Sequence, residues 1–135
     1  PDPETGFSAF LLHEEDDHRL SVLAASWVPG MGVGLHDHGT WAVVVGVQGT
    51  ERNIRYKRLD DRSNPEYAEL EIKEELVAGP GDLVCIRNGG IHSVRNDSDD
   101  VTLSLHTYGY HVNYTKRYQY DLEARTASEF KVDMN

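Results

Sequence analysis

The sequence predicts an all-β protein, and three observations carry that prediction. Apolar and alternating runs recur at short intervals, turn-forming residues separate them, and no segment before the tail shows a helical period. The first two runs, Ala9 to His13 and Leu20 to Val28, flank Glu15-Asp16-Asp17-His18-Arg19, whose charge and turn chemistry read as a solvated hairpin loop. Pro29-Gly30 ends the second run. Trp41 to Val47 is almost wholly apolar, which predicts a strand buried on both faces and central in its sheet. Arg52 to Leu59 follows and is closed by Asp60-Asp61-Arg62-Ser63-Asn64-Pro65. Ala68 to Val77 opens with strict alternation of apolar and charged residues, the mark of a strand with one wet face. Gly79-Pro80-Gly81-Asp82 is a tight turn into Leu83 to Ile86, and Asn88-Gly89-Gly90 separates that run from Ile91 to Arg95. Asn96-Asp97-Ser98-Asp99-Asp100 precedes the last run, Thr102 to Tyr108. About eight strands of this length make a sandwich or barrel. The tail from Asp121 to Asn135 is mixed in charge and is compatible with a short helix, an extended arm or a disordered end.

A chain of 135 residues suits a single domain, expected over residues 1–135 with strands from about 9 to 108 and a C-terminal arm from about 109 to 135. Its formal net charge of -10 repels phosphate backbones, so nucleic acid is not expected as a partner. No apolar run approaches the ~20 residues of a membrane helix, and no membrane association is expected. Cys85 is the single cysteine and cannot form an intrachain disulfide, which fits a reducing compartment, with cytoplasm the expected location. No charged-then-apolar leader precedes the first strand, so the start at Pro1 reads as a trimmed terminus rather than a signal peptide. Oligomeric state cannot be read from the chain.

The first feature that carries chemistry is His36-Asp37-His38. On an extended backbone residues i and i+2 project to one face, so both imidazoles can hold a single metal ion while Asp37 faces the other way. The tight turn at Gly79 to Asp82, the apolar strand after it and then His92 in Ile91-His92-Ser93-Val94 supply a third candidate ligand. A second cluster is Thr102-Leu103-Ser104-Leu105-His106-Thr107-Tyr108, whose alternation puts Ser104, His106 and Tyr108 on one face. If that face lines the interior, the three can hydrogen-bond in series; the alternative is a half-exposed strand with its polar residues in water. Three neutral imidazoles leave a divalent ion its full charge and attract anionic ligands, thiolates among them. Imidazole suits Fe, Zn, Cu and Ni alike, so ligand type does not choose the metal.

The order of these motifs resembles the two half-motifs of the cupin superfamily, which implies a double-stranded β-helix, or jelly-roll barrel. Position by position, His36-Asp37-His38, Ile91-His92-Ser93-Val94 and Ser104-Leu105-His106-Thr107-Tyr108 resemble the cysteine dioxygenase family of thiol dioxygenases from about Ala9 to Tyr108. The resemblance implies that His36, His38 and His92 bind Fe(2+), that Ser104, His106 and Tyr108 form a relay beside it, and that a small thiol is oxidised by O2 to a sulfinate. The usual cupin glutamate ligand would fall on Ala42 or Val43, neither of which binds metal. The cysteine that cross-links to the relay tyrosine in animal enzymes is matched by Val43, and the sequence around Trp41 is closer to the bacterial 3-mercaptopropionate dioxygenases, which also lack it. The family's carboxylate-binding arginine is matched by Phe10, leaving Arg52, Arg55, Arg87 and Arg117 as replacements. That departure keeps open a three-histidine cupin dioxygenase with a carbon substrate and a non-catalytic small-molecule-binding cupin. A zinc hydrolase ranks lower, because no general-base carboxylate is paired with the histidines.

The remaining candidates have plainer readings. Cys85 reads as a small core residue, His18 as a loop residue and His111 as a surface histidine with a pocket role as the alternative. His13 is left without an assignment. Trp41 and Tyr110 either line the substrate cavity or pack in the core. Asp37 supports the site from behind or faces solvent. Tyr114-Thr115-Lys116-Arg117-Tyr118 reads as a packed arm rather than a nucleic-acid patch.

Overall fold

The computed structural model describes residues 1–132 and 134. In chain order its strands are β1 (Phe7–Glu14), β2 (Arg19–Trp27), β3 (Gly32–His36), β4 (Ala42–Gln48), β5 (Glu51–Arg58), β6 (Leu70–Ala78), β7 (Leu83–Ile86), β8 (Ile91–Arg95), β9 (Thr102–Tyr110), β10 (Tyr118–Asp121) and β11 (Thr126–Glu129). The only helical element among the described residues is a single 3-10 turn at Val112–Tyr114, and no helix is long and apolar enough to cross a membrane. Two antiparallel sheets result, one ordered β1-β2-β9-β4-β7 and the other β11-β10-β3-β8-β5-β6. From β3 onward the chain passes back and forth between the sheets, except at the hairpins β5–β6 and β10–β11, which stay within the second sheet, the winding of a jelly roll.

Inward-facing residues follow the period of two. Leu23, Ala25 and Trp27 of β2, Ala42 and Val44 of β4 and Val84 and Ile86 of β7 are all buried and form the apolar lining of the first sheet. The middle strand of that sheet, β9, presents Thr102, Ser104, His106 and Tyr108 on the same inner face, flanked in register by Leu23 and Val44 at the level of His106. A polar stripe therefore runs through an apolar core, where each of its groups needs a partner.

β4, read as central, is an interior strand of its sheet, paired with β9 on one side and β7 on the other. Three expectations change. Two elements were not read as strands. Gly32 and Gly34 interrupt the apolar pattern of β3, yet β3 runs so close to β8 that a Cβ on Gly32 would collide with the carbonyl oxygen of Val94. The segment expected as an arm also contains a hairpin, β10 and β11, which adds to the open edge of β3 through the pairing of Gln119 with His36. Cys85 is exposed rather than in the core, because Val84 and Ile86 occupy the inward positions of the four-residue β7.

Candidate metal centre

His36 closes β3, and His38 follows two residues on, beyond the end of the strand. His92 is the second residue of β8 and stands directly opposite His36 in the antiparallel pairing. Burial is nearly complete, with 4%, 2% and 1% exposure for His36, His38 and His92. The Nδ1 of His36 lies 2.7 Å from the carbonyl oxygen of Gly34. A carbonyl only accepts, so Nδ1 carries the proton and Nε2 is left with a bare lone pair. That Nε2 sits 3.1 Å from Nε2 of His38, and one candidate ligand nitrogen from each of the three rings lies within 4.8 Å of the others.

This donor set fits a metal ion. Two imidazole nitrogens bound at about 2.1 Å and at right angles stand about 3 Å apart, the separation of the His36 and His38 pair. The buried Nδ1 atoms of His38 and His92 have no partner among the described residues, so the protein's own hydrogen bonds leave these rings only partly satisfied. Burial pushes His36 down to about 3, aided by the positive charge of Arg117. Burial likewise holds His38 and His92 well below the ordinary histidine value, with neighbouring imidazoles adding to the effect. All three rings stay neutral at physiological pH, the state in which a lone pair is free for a cation.

The histidine segment is held from behind by the C-terminal hairpin. Asp37 turns away from the ring cluster and is 9% exposed. Its Oδ1 accepts from the Tyr118 amide at 2.8 Å and its Oδ2 from the Tyr120 hydroxyl at 2.8 Å. Thr115 donates its hydroxyl to the His38 carbonyl at 2.6 Å, and Arg117 donates Nε to the Asp37 carbonyl at 3.1 Å. Sequence reasoning missed these four partners; the alternation of Tyr118 and Tyr120 was the one available signal.

On β9 the structure brings Ser104, His106 and Tyr108 into one chain of hydrogen bonds. Ser104 Oγ is 2.8 Å from His106 Nε2, and His106 Nδ1 is 3.2 Å from the Tyr108 hydroxyl. The Tyr108 ring stands 5.2 Å from the ring of His38, centroid to centroid. Burial pushes His106 down to about 4 and Tyr108 up to about 12, so both are neutral and each can donate one proton and accept another.

Two spaces border the centre. A small cavity of about 50 Å³ between the sheets is lined by His36, His92, His106, Tyr108 and Arg117 together with apolar side chains. A cleft of about 590 Å³ on the other side of His92 is lined by Trp41, Arg55, Lys73, Cys85 and Arg87 among others. Of the four arginines, Arg52 is engaged by Asp97 at 2.7 Å. Arg55 stands opposite His92 across β5 and β8 and donates to the Cys85 carbonyl at 2.8 Å. Arg87 lies in the cleft, and Arg117 is only 3% exposed beside the histidines. Phe10 points outward at 43% exposure, and Ala42, not Val43, is the residue opposite Tyr108.

Trp41 is exposed and lines the cleft, whereas Tyr110 borders neither space. His13 is on the surface beside Glu15, and His18 lies in the first hairpin against Glu14 and Tyr114. His111, expected at the surface, is 5% exposed: it starts the 3-10 turn, accepts the Asn113 amide on Nδ1 and packs against Tyr114.

Residues 12–121 match the family model described as cysteine dioxygenase type I. Oxalate oxidase in complex with the substrate analogue glycolate superposes with a TM-score of 0.63 at 14% identity, covering 82% of this chain and 54% of that one. A cupin superfamily protein from Desulfitobacterium hafniense gives a TM-score of 0.57 at 14% identity, with 77% of each chain covered. The DMSP lyase DddQ from Ruegeria pomeroyi gives 0.61 at 18% identity, covering 86% of this chain and 52% of that one. The chain thus spans about half the length of the oxidase and the lyase, and the likeness establishes the cupin fold.

Proposed function

The chain belongs to the cysteine dioxygenase type I family, and on that premise we propose that it is a non-haem iron(II) thiol dioxygenase. The reaction is R–SH + O2 → R–SO2⁻ + H⁺, with both oxygen atoms delivered to sulfur. Family and histidine cluster together support a cupin metal dioxygenase using a small molecule and O2; the thiol and the iron are our reading. The observation that carries it is a buried set of three neutral imidazoles, without a carboxylate, next to an inward-facing tyrosine.

His36, His38 and His92 would hold the iron. Iron, when bound, supplies the redox chemistry by which O2 and a thiolate combine. The protein's own residues do the rest. Ala42 leaves the ligand set uncharged where a glutamate would have added a negative charge, which favours an anionic sulfur ligand. Tyr108 donates to or accepts from a group in the cavity while His106 and Ser104 hold its hydroxyl in line. Arg117 is the fixed cation of the cavity and is assigned the anionic group of the substrate, the part played by the arginine that Phe10 does not supply.

Metal analysis after purification, coupled to an oxygen-electrode screen of 3-mercaptopropionate, cysteine and thiols lacking a carboxylate, tests the reading. Iron and thiol-dependent O2 uptake are expected. Zinc with no uptake would overturn it. The outward Phe10 favours one second reading, a three-histidine dioxygenase with a carbon substrate; O2 uptake with a diketone and none with thiols would select it. Ligand binding with no uptake from either class would mark a binding cupin.

A further inference from the structure

Glu51, the first residue of β5, is 5% exposed and lies inside the fold at the far end of the β9 stripe. Among the described residues no cation stands within ion-pair distance of it. A carboxylate buried without a counter-ion is costly and calls for a local explanation. Its contact is with the relay: Ser104 donates its hydroxyl to Glu51 Oε2 at 3.4 Å.

The chemistry of the donors makes this contact directional. A chain of Ser104, neutral His106 and Tyr108 can be satisfied in two ways. In one, His106 carries its proton on Nε2, donates to Ser104 and accepts the Tyr108 proton on Nδ1. In the other, Ser104 donates to Nε2 and His106 donates from Nδ1 to the tyrosine oxygen. An ionised carboxylate only accepts. With the Ser104 proton given to Glu51, the serine oxygen is left to accept from His106, and the first arrangement is selected. Tyr108 is then the donor at the head of the chain, and its hydroxyl oxygen keeps its lone pairs for the cavity.

We propose that Glu51 is a positioning residue that sets the direction of the proton chain through Ser104 and His106 to Tyr108. Its functional consequence rests on the dioxygenase reading above; its effect on the tautomer of His106 does not. Burial raises the Glu51 carboxyl above its ordinary value while the Ser104 hydroxyl opposes that rise, so the measurements belong at mildly alkaline pH, which favours the ionised form.

The test pairs a spectroscopic and a kinetic readout on the full chain. Long-range proton–nitrogen NMR correlations, taken after chelation of any paramagnetic ion, report the tautomer of His106. The native protein is expected to show one tautomer, protonated on Nε2, and Glu51→Leu a mixture of two. Glu51→Gln, which retains an oxygen acceptor, is expected to restore the single form. In thiol-dependent O2 uptake, Glu51→Leu should lower kcat about tenfold with KM within about twofold, and Glu51→Gln should recover most of the rate. A single unchanged tautomer in folded Glu51→Leu overturns the proposal, as does an unchanged kcat in that variant when Tyr108→Phe slows turnover. Ser104→Ala cuts the same link from the other side, and persistence of the single tautomer there overturns the proposal even where Glu51→Leu does not fold. A native protein without thiol-dependent uptake defeats the functional reading alone, since the tautomer data still decide the role of Glu51.

Discussion

Replacing His106 with Gln should flatten the acid limb of the stability curve by an amount set by the burial of one imidazole. In the folded protein burial, with Arg117 adding to it, pushes His106 down to about 4, whereas an unfolded chain carries histidine at about 6.5. Between those values the unfolded state binds nearly one more proton than the folded state. The derivative of unfolding free energy with pH is therefore positive, and stability falls as the solution is acidified. One pH unit in that window is worth about 1.4 kcal/mol, so the residue removes on the order of 3 kcal/mol between pH ~6.5 and pH ~4. That is a large share of the roughly 5–15 kcal/mol available to a domain. Gln keeps a donor and an acceptor for Ser104 and Tyr108 but does not titrate. The His106→Gln variant should start less stable near neutrality, through imperfect hydrogen bonds, and the gap to the native protein should close on acidification by about 3 kcal/mol. Urea unfolding of the metal-free protein, followed by tryptophan fluorescence in steps from about pH 7.5 to about pH 4.5, measures both curves. The other buried histidines are common to both proteins, and their contributions cancel apart from the charge coupling that His106 exerts on His36, His38 and His92. Two curves that stay parallel through the window would refute the reasoning, because they would mean that folding does not displace the proton equilibrium of this ring.

Other perturbations have equally direct outcomes. His92→Ala removes one donor of the cluster and should abolish metal retention and O2 uptake together, at a stability cost of about 2–4 kcal/mol from the cavity left behind; metal analysis beside a urea curve checks both. Tyr108→Phe should keep the metal while slowing thiol-dependent uptake by about 10- to 100-fold, and full activity would remove the relay from the mechanism. Asp37→Asn keeps one acceptor but turns an amide toward either the Tyr118 amide or the Tyr120 hydroxyl, so a loss of about 1–3 kcal/mol in urea unfolding is expected. Gly46→Ala puts a methyl group against the carbonyl of Gly79 and should cost about 1–3 kcal/mol, read in the same assay.

Much of this molecule was legible because its chemistry sits on strands with clear alternation. Ser104, His106 and Tyr108 could be placed on one face from the period of two alone, and β9 does turn that face inward. Where alternation fails, so does the reading. Leu83-Val84-Cys85-Ile86 is apolar at every position, so either parity could have faced the core; pairing with β4 decides it and leaves Cys85 outside. β3 was passed over because glycine weakens strand propensity, while the demand for glycine comes from the backbone of β8, a tertiary fact with no local trace. The hairpin of β10 and β11 is short and mixed in charge, and its edge pairing with β3 is again tertiary. His111 looked like a surface residue because the turn that buries it, with Tyr114, is only three residues long.

The same tertiary facts determine the charge of the centre. Asp37 lies between two cluster histidines in sequence, yet its carboxylate is spent on the Tyr118 amide and the Tyr120 hydroxyl and turned away from the rings. Glu51 is buried at the opposite end of the β9 stripe, separated from the rings by Ser104 and His106. What borders the cavity is the neutral imidazoles of His36 and His92, a neutral His106, a neutral Tyr108 and the guanidinium of Arg117, itself held by the Asp37 carbonyl and stacked over Phe130 at 4.3 Å. A chain with a formal charge of -10 thus surrounds a cavity whose lining carries one cation, Arg117, and no carboxylate, with the Asp37 carboxylate tempering that cation from behind. A divalent ion adds to that positive charge, and in a buried site of low polarity the excess must be met by anions. Thiolate sulfur on the metal and a second negative group on Arg117 would meet it from within one small molecule, whereas a neutral carbon substrate would leave the charge to water that the burial of these side chains excludes.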